Sequence, residues 1–473
     1  MKSAIKTKSL TKLIPFSSSF CAISLFIFIS ILFFTTSKIV TINIGSSLLQ
    51  PTESDPTNVN HLVFGIASSG KSWPNRKKYA KLWWNKNMKG CVFVDNLPPE
   101  ENDNNLNSDD SVPQICVSED TSKFNYTYRP GGLRSAIRVA RVVKETAELN
   151  HSDVRWYVFG DDDTIFFPEN LVKTLSKYDH RLWYYVGAYS ENYEGSQTFG
   201  FGMAFGGGGF ALSASLANVL AKVFDSCIER YSHLYGSDAR VFSCIAELGV
   251  GLTYEPGFHQ VDLRGNVFGL LAAHPLSPLL SLHHPDITDA IFPNMTNSKS
   301  LQHLFEAAYV DSQRMLQQTV CYDRRFSRTI SVSWGYAVQV FQSNVLLPDV
   351  LRVQETFKPW KEKHVMAGIY TFSKRELHHD PCKRPKIFYL DNVSSGKDGI
   401  ISNYTKSFYN CSNDKTSSKN LEVIKVVTNN LDLDSKQLQT PRRQCCDVLD
   451  SNSGQLMEIA IRECKYEELI YMH

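Results

Sequence analysis

Unbroken apolar runs and helical repeats alternate along the first half of the chain. Leu62-Val63-Phe64-Gly65-Ile66-Ala67, Cys91-Val92-Phe93-Val94 and Trp156-Tyr157-Val158-Phe159 carry no polar alternation, the pattern of strands buried on both faces. Between them, Ser68-Ser69-Gly70 reads as a turn into a helix reaching Trp83 and Trp84. From Gly132 to Leu149 the residues Leu133, Ile137, Ala140, Val143 and Ala147 recur at helical spacing, with Arg134, Arg138 and Arg141 on another face. Strand, helix and strand in succession predict a doubly wound α/β layer, whose ligands sit beyond the carboxyl ends of the strands. Pro98 to Pro113, acidic and rich in Asn, reads as a solvated loop. Beyond Pro293 the texture changes. Ser331 to Phe341 alternates like one antiparallel strand, Ile387-Phe388-Tyr389-Leu390 like another, and a β-rich C-terminal module holding most of the later cysteines is expected.

The longest apolar run lies near the N-terminus. No charge interrupts Leu13 to Ser37, and Lys2, Lys6, Lys8 and Lys12 precede it. That length spans a bilayer core of roughly 30 Å, and the flanking charge predicts a cytoplasmic N-terminus and a lumenal C-terminus. A cleaved signal peptide is the plainer alternative, disfavoured by the length of the run and by the lack of a clear small-x-small site. The expected plan is a cytoplasmic tail over 1–12, a signal anchor over 13–37 and a polar stem over 38–60. Glycosylation sequons at Asn125, Asn150, Asn294, Asn392, Asn403 and Asn410 suit a lumenal domain. Of the 11 cysteines, Cys21 lies in the span and the others follow it, an even set that suits disulfides. No C-x-x-C pair supports a structural zinc site.

Composition narrows the class further. With 473 residues, 42% hydrophobic and 12% aromatic, the chain can fill at least one large core. Net charge is +2 and the basic residues are scattered, so nucleic acid is not an expected partner.

Candidate chemistry concentrates where the Trp156 run ends in Gly160-Asp161-Asp162-Asp163. Asp161 and Asp163, two apart, lie on one side of an extended backbone and could share Mg²⁺ or Mn²⁺, while Asp162 faces a structural partner or a ribose. The plainer reading is that the aspartates cap the helix starting at Pro168-Glu169-Asn170-Leu171. A phosphatase of the haloacid dehalogenase type also sets aspartates after a strand, but wants Thr or Val where this chain has Ile165. Phe205-Gly206-Gly207-Gly208-Gly209-Phe210 permits close backbone approach, or is merely a flexible loop, and lacks the Gly-Lys-Ser/Thr of a P-loop. Asp238 is either an N-cap or a general base for an acceptor hydroxyl. His283-His284 offers an imidazole ligand, or is a solvent-facing pair.

The order of these segments resembles the Fringe-like glycosyltransferases of the β-1,3-transferase superfamily (family 31), and more closely their plant Fringe-related members. Arg155 to Thr164, Phe205 to Ser213, Glu255-Pro256-Gly257-Phe258-His259-Gln260, Ala272-Ala273-His274-Pro275, Leu282-His283-His284 and Pro441-Arg442-Arg443-Gln444-Cys445-Cys446-Asp447 carry the resemblance. It implies a GT-A-type, Rossmann-like catalytic domain over 61–300 and a cysteine-containing extension over 301–473. It implies Mn²⁺ or Mg²⁺ held by Asp163, Asp161 and His283, with His284 as the neighbouring alternative. A UDP-sugar is then the donor, contacted through Asp161, Asp162, Ser68, Arg76, Gly207 and Gly208, and Asp238 is the base of a single inverting displacement. The acceptor is a glycan or glycoprotein hydroxyl, and the location a single-pass type II Golgi membrane. Gly208 in the glycine run and Ser237 before Asp238 depart from the usual Fringe pattern, which bears on donor and acceptor choice. The alternative is a catalytically inactive, membrane-anchored glycan-binding protein of the same fold.

Overall fold

Leu62–Ala67 (β1) is buried along its whole length and pairs in parallel with Lys89–Val94 (β2) on one side and Trp156–Asp161 (β4) on the other. In the computed structural model the described residues are 56–98, 110–126, 133–363, 365–397, 399–408, 411, 416, 418–450 and 454–472. The expected tail and anchor, most of the stem, most of the Asn-rich loop and the Asn410 sequon lie outside them. Among the described residues no helix is long and apolar enough to cross a membrane. Asn125, Asn150, Asn294 and Asn392 are exposed.

Gln114–Val117 (β3), Tyr185–Gly187 (β5), Phe210–Ser213 (β6) and Leu252–Tyr254 (β7) complete a seven-stranded mixed sheet of order β3-β2-β1-β4-β6-β5-β7, in which β6 runs antiparallel to both neighbours. Alternation explains its two cores. Val63, Ala67, Tyr157 and Phe159 face three helices, Ser135–Ala147 (α1), Ala214–Arg230 (α2) and Ser237–Glu247 (α3). Leu62, Phe64, Ile66, Trp156 and Val158 face the other way, onto Trp73, Trp83, Trp84 and the C-terminal half.

Three local expectations need correction. The helix after Gly70 spans only Trp73–Ala80, and Trp83 and Trp84 follow it in turns, packed on Phe64 and each other. Leu133 precedes α1 and is 68% exposed. Arg141, read as part of a polar face, has no exposure: its guanidinium donates to Glu119, Glu145 and Asp225 at 2.7–2.9 Å. Helix α2 covers that face, and three carboxylates make the burial of the charge tolerable.

The second half is built on an eight-stranded sheet whose spatial order is Gln318–Asp323, Arg328–Ser333, Ala337–Phe341, Lys386–Gly396, Gly399–Lys406, Val423–Thr428, Leu456–Arg462 and Cys445–Leu449. The stretch 331–341 is thus the arms of a hairpin rather than one strand. Gly335, at φ +77°, turns the chain where side chains are rarely tolerated. The helix Asn297–Val310 runs across the 300/301 boundary, and residues 56–473 form one compact unit.

Among the described residues five disulfides are present: Cys91–Cys116, Cys227–Cys244, Cys321–Cys446, Cys382–Cys411 and Cys445–Cys464. Successive strand residues point to opposite sides, so the adjacent Cys445 and Cys446 serve different partners. Cys321–Cys446 ties the two outermost strands of the eight-stranded sheet to each other.

Candidate active site

The aspartates arrive at the carboxyl end of β4, in the middle of the first sheet. The chain then turns: Thr164 N–H donates to Asp161 O at 3.0 Å, Asp161 N–H donates to Thr164 Oγ1 at 2.8 Å, and that hydroxyl donates to Gly207 O at 2.7 Å. Asp161 and Asp163 therefore share a side because of a tight turn, not because the backbone stays extended. Nor do the aspartates cap the next helix. Pro168–Leu175 begins after Phe167 with no side-chain cap, and the short strand Ile165–Phe166 intervenes.

Asp162 is fully engaged. Ser68 and Ser72 hydroxyls donate to its Oδ2 at 2.7 Å each, and Arg76 donates to its Oδ1 at 2.7 Å. Arg76 also reaches Asp163 at 3.3 Å and Asp286 at 3.5 Å. Ser68 thus meets the aspartates through Asp162, and Arg76 meets both Asp162 and Asp163.

Strand Ser281–Leu282 pairs with Ile165–Phe166, Leu282 opposite Ile165, so the next two residues fall beside the aspartate turn. His283 Nε2 lies 3.1 Å from Asp163 and 3.8 Å from Asp161. Its Nδ1 lies 3.1 Å from the carbonyl of Gln260. A carbonyl can only accept, so Nδ1 carries the proton and, in the neutral ring, the lone pair of Nε2 faces the carboxylates. That is how metal-ligating histidines are commonly oriented. His284 Nδ1 stands 4.0 Å from Asp163, and its Nε2 is 3.4 Å from Asp262. Neither histidine is solvent-facing: their side chains are 4% and 18% exposed. Asp163, His283 and His284 each offer one ligand atom within 4.8 Å of the others. Two imidazoles and carboxylates fit Mn²⁺ better than Mg²⁺, which favours an all-oxygen shell.

The glycine run is buried, not a flexible loop. A Cβ on Gly207 would come within 2.1 Å of the His283 ring, and one on Gly206 within 2.7 Å of Asp238 Oδ1. These two glycines are what allows histidine and aspartate to close on one backbone. Gly208 N–H is bound by Gln260 Oε1 at 2.6 Å, so it is not free for a donor molecule. Asp238 does not cap α3. Gly236 occupies the cap position, and Asp238 instead receives the Ser237 hydroxyl at 3.0 Å and the Gly206 N–H.

Burial and like charge tune these groups. Asp161 keeps 40% of its side-chain exposure, yet desolvation and the charges of Asp163, Asp238 and Asp162 raise its carboxyl to about 7. Burial also raises Asp238. Burial acts against ionised Asp163, but His283, Arg76 and His284 outweigh it and hold its carboxyl down at about 2. Burial acts against the His283 imidazolium too, and the hydrogen bond and charge of Asp163 win, raising it to about 9. Burial lowers His284. Such divergence between close carboxylates is characteristic of sites that divide acid, base and ligand roles.

Sequence reasoning missed Thr164, Asp262 and a buried chain. Glu191 Oε1 is 2.9 Å from His259 Nδ1, His259 Nε2 is 3.0 Å from His274 Nε2, and His274 Nδ1 is 2.8 Å from Pro275 O. Glu191 also accepts the Val261 N–H at 2.8 Å. The chain joins two segments that stood out in the sequence, 255–260 and 272–275, and supports the Gln260–Asp262 loop. Val261, at φ +52°, and His284, at φ +59°, hold left-handed backbone. For a β-branched residue that is a true outlier, and such strain clusters at functional sites. A cavity of about 710 Å³ lies elsewhere, against the eight-stranded sheet. Its Arg328 and Arg325 are paired with Asp323 and Asp450.

A family model described as "Protein of unknown function, DUF604" matches residues 196–446. A beta-1,3-glucosyltransferase of Mus musculus is 32% identical over 120 residues, which are 25% of this chain. The match spans only 23% of that relative's length. Among solved structures, the crystal structure of mouse xyloside xylosyltransferase 1 in its apo form is similar at a TM-score of 0.26 and 9% identity, covering 44% of this chain and 86% of that one.

Proposed function

The chain belongs to the DUF604 family, and from that premise we propose that it is a metal-dependent glycosyltransferase. It transfers a hexose or N-acetylhexosamine from a UDP-sugar to a glycan hydroxyl, with inversion, in a β-1,3-type linkage. The observation that carries this reading is the closure of Asp161, Asp163 and His283 into one cluster beside Asp238, across a glycine backbone with no room for side chains. The partial likeness to a beta-1,3-glucosyltransferase supports the reaction class. The uncharged run over 13–37, preceded by lysines, supports a type II membrane anchor, and placing it in the Golgi membrane rests on the family resemblance.

Asp163, Asp161 and His283 would hold Mn²⁺, which supplies positive charge against the departing diphosphate. Arg76 stands beside the same carboxylates with a third of its side chain exposed and adds a fixed cation there. Asp238 takes the proton of the acceptor hydroxyl as that oxygen bonds to the anomeric carbon. The bond from that carbon to the diphosphate breaks with its electron pair leaving on UDP. Raising a carboxyl by burial makes it a stronger base at neutral pH, which suits Asp238 to that role.

The test is UDP release by the full chain from a panel of UDP-sugars with Mn²⁺ and glycan acceptors. Wild type should turn over one donor selectively, and Asp238→Asn should lose about 10²- to 10⁴-fold of that rate while still binding UDP. Mn²⁺-dependent UDP binding with no turnover of any donor would replace the enzyme by a glycan-binding protein of the same fold.

A further inference from the structure

The metal-site residues come from the first 284 positions, but one wall of the site comes from the second half of the chain. Between its strands Ala337–Phe341 and Lys386–Gly396, the eight-stranded sheet sends out a long excursion. Strand Phe357–Pro359 of this excursion pairs with Leu263–Gly265, just after the Gln260–Asp262 loop. Farther on, Thr371 N–H donates to Glu191 O at 3.0 Å, and Tyr193 N–H donates to Ile369 O at 3.2 Å. The excursion is thus fastened at two points that flank the site, and Trp360 lies between them.

Trp360 stacks on His284, ring centroids 4.7 Å apart and planes 20° apart. Arg264 also packs on the Trp360 ring, its guanidinium carbon 4.7 Å from the ring centre, and its Nε donates to Trp360 O at 2.8 Å. His284 in turn lies 3.7 Å from the His283 ring. Consecutive residues on an extended chain point to opposite sides. The left-handed backbone at His284 brings both imidazoles to the same side, facing Asp163. That conformation is costly for a residue with a side chain, and the polar contacts of His284 are long, 3.4 Å to Asp262 and 4.0 Å to Asp163. The Trp360 stack restrains its ring from the C-terminal half, alongside His283 and Asp262.

We infer that Trp360 is a positioning residue that holds His284 against Asp163 and so completes the metal site from the C-terminal half of the protein. The inference rests on the metal reading of Asp163 and His283 given above. An aromatic pair contributes modestly, but residues that orient ligands commonly change metal affinity 10- to 100-fold.

The experiment is Mn²⁺ binding by the full chain without nucleotide, read from the loss of the free-ion electron paramagnetic resonance signal. Trp360→Ala should bind about tenfold more weakly than wild type, and Trp360→Phe, which keeps a stacking ring, within about twofold. In a His284→Ala background the Trp360→Ala change should have no further effect, because the two act as one unit. Equal affinity in wild type and Trp360→Ala, or the same loss with and without His284, overturns the inference and leaves the metal site standing. Should Trp360→Ala fail to fold, paramagnetic quenching decides: Mn²⁺ must quench more tryptophan emission in wild type than in Trp360→Phe, and equal quenching overturns it. Wild type that binds no Mn²⁺ overturns the metal reading as well.

Discussion

The carboxyl end of the seven-stranded sheet and the eight-stranded half treat their buried charges in opposite ways. At the carboxyl end of the seven-stranded sheet, Asp161, Asp163 and Asp238 crowd together, and their proton affinities are driven apart. In the eight-stranded half two buried arginines are matched locally, Arg314 with Asp311 at 3.0 Å and Arg328 with Asp323. Three of the five disulfides lie there as well. Crowding like charges is destabilising and persists where a cation is bound or a proton is moved. Pairing and stapling serve a scaffold. On the proposed reading the first sheet would carry the chemistry, and the second would provide rigidity and lend one excursion to the site.

That contrast can be broken most severely at Gly207. An alanine Cβ there would come within 2.1 Å of the His283 ring, and a histidine held between Gln260 and Asp163 has nowhere to retreat. Gly207→Ala should weaken Mn²⁺ binding at least about tenfold and cost about 1–3 kcal/mol of stability, as overpacking does. Titration with Mn²⁺ and a denaturant melt of the same sample check both. Unchanged affinity would show that His283 is not held where metal binding needs it.

The second half should respond differently. Cys321–Cys446 closes a loop with a sequence separation of 125, so Cys321→Ser should cost about 2–5 kcal/mol. Mn²⁺ affinity of the protein that remains folded should be near wild type. A large loss of metal binding without unfolding would blur the division between chemical and scaffold halves.

A smaller effect sharpens the comparison through pH. His283 is raised from an ordinary 6.5 to about 9. Its pairing with Asp163 therefore contributes stability that is fully present below pH 6.5 and is lost as pH rises through 9. Asp163, lowered from 3.8 to about 2, contributes stability present above pH 3.8 and lost as pH falls through 2. Metal-free protein should lose part of its stability between pH 6.5 and 9, and His283→Gln should flatten that slope. Thermal melts in chelator across this range provide the check.

Much of this was legible in the chain. Parallel strands buried on both faces announce themselves as unbroken apolar runs, so β1, β2 and β4 could be read directly. The aspartates, the glycine run, Asp238 and the histidine pair stood out because each needs a residue type that packing alone does not select. What stayed hidden depends on partners distant in sequence. Nothing near Arg141 marks it as buried, because Asp225 comes from α2 and Glu119 from the segment after β3, and both become its partners only in the fold. Gly335 divides one alternating stretch into a hairpin, and alternation is the same on either side of a tight turn. Trp360 carries no motif, and its position over His284 follows from strand pairing with Leu263–Gly265.

The central claim is that Asp161, Asp163 and His283 form a metal site serving a UDP-sugar. The most direct measurement is UDP binding by the full chain with and without Mn²⁺, in wild type and Asp163→Ala. The account predicts tight binding only with Mn²⁺ in wild type, and loss of that Mn²⁺ dependence in the variant. UDP binding that ignores Mn²⁺, or that survives unchanged in folded Asp163→Ala, would contradict it.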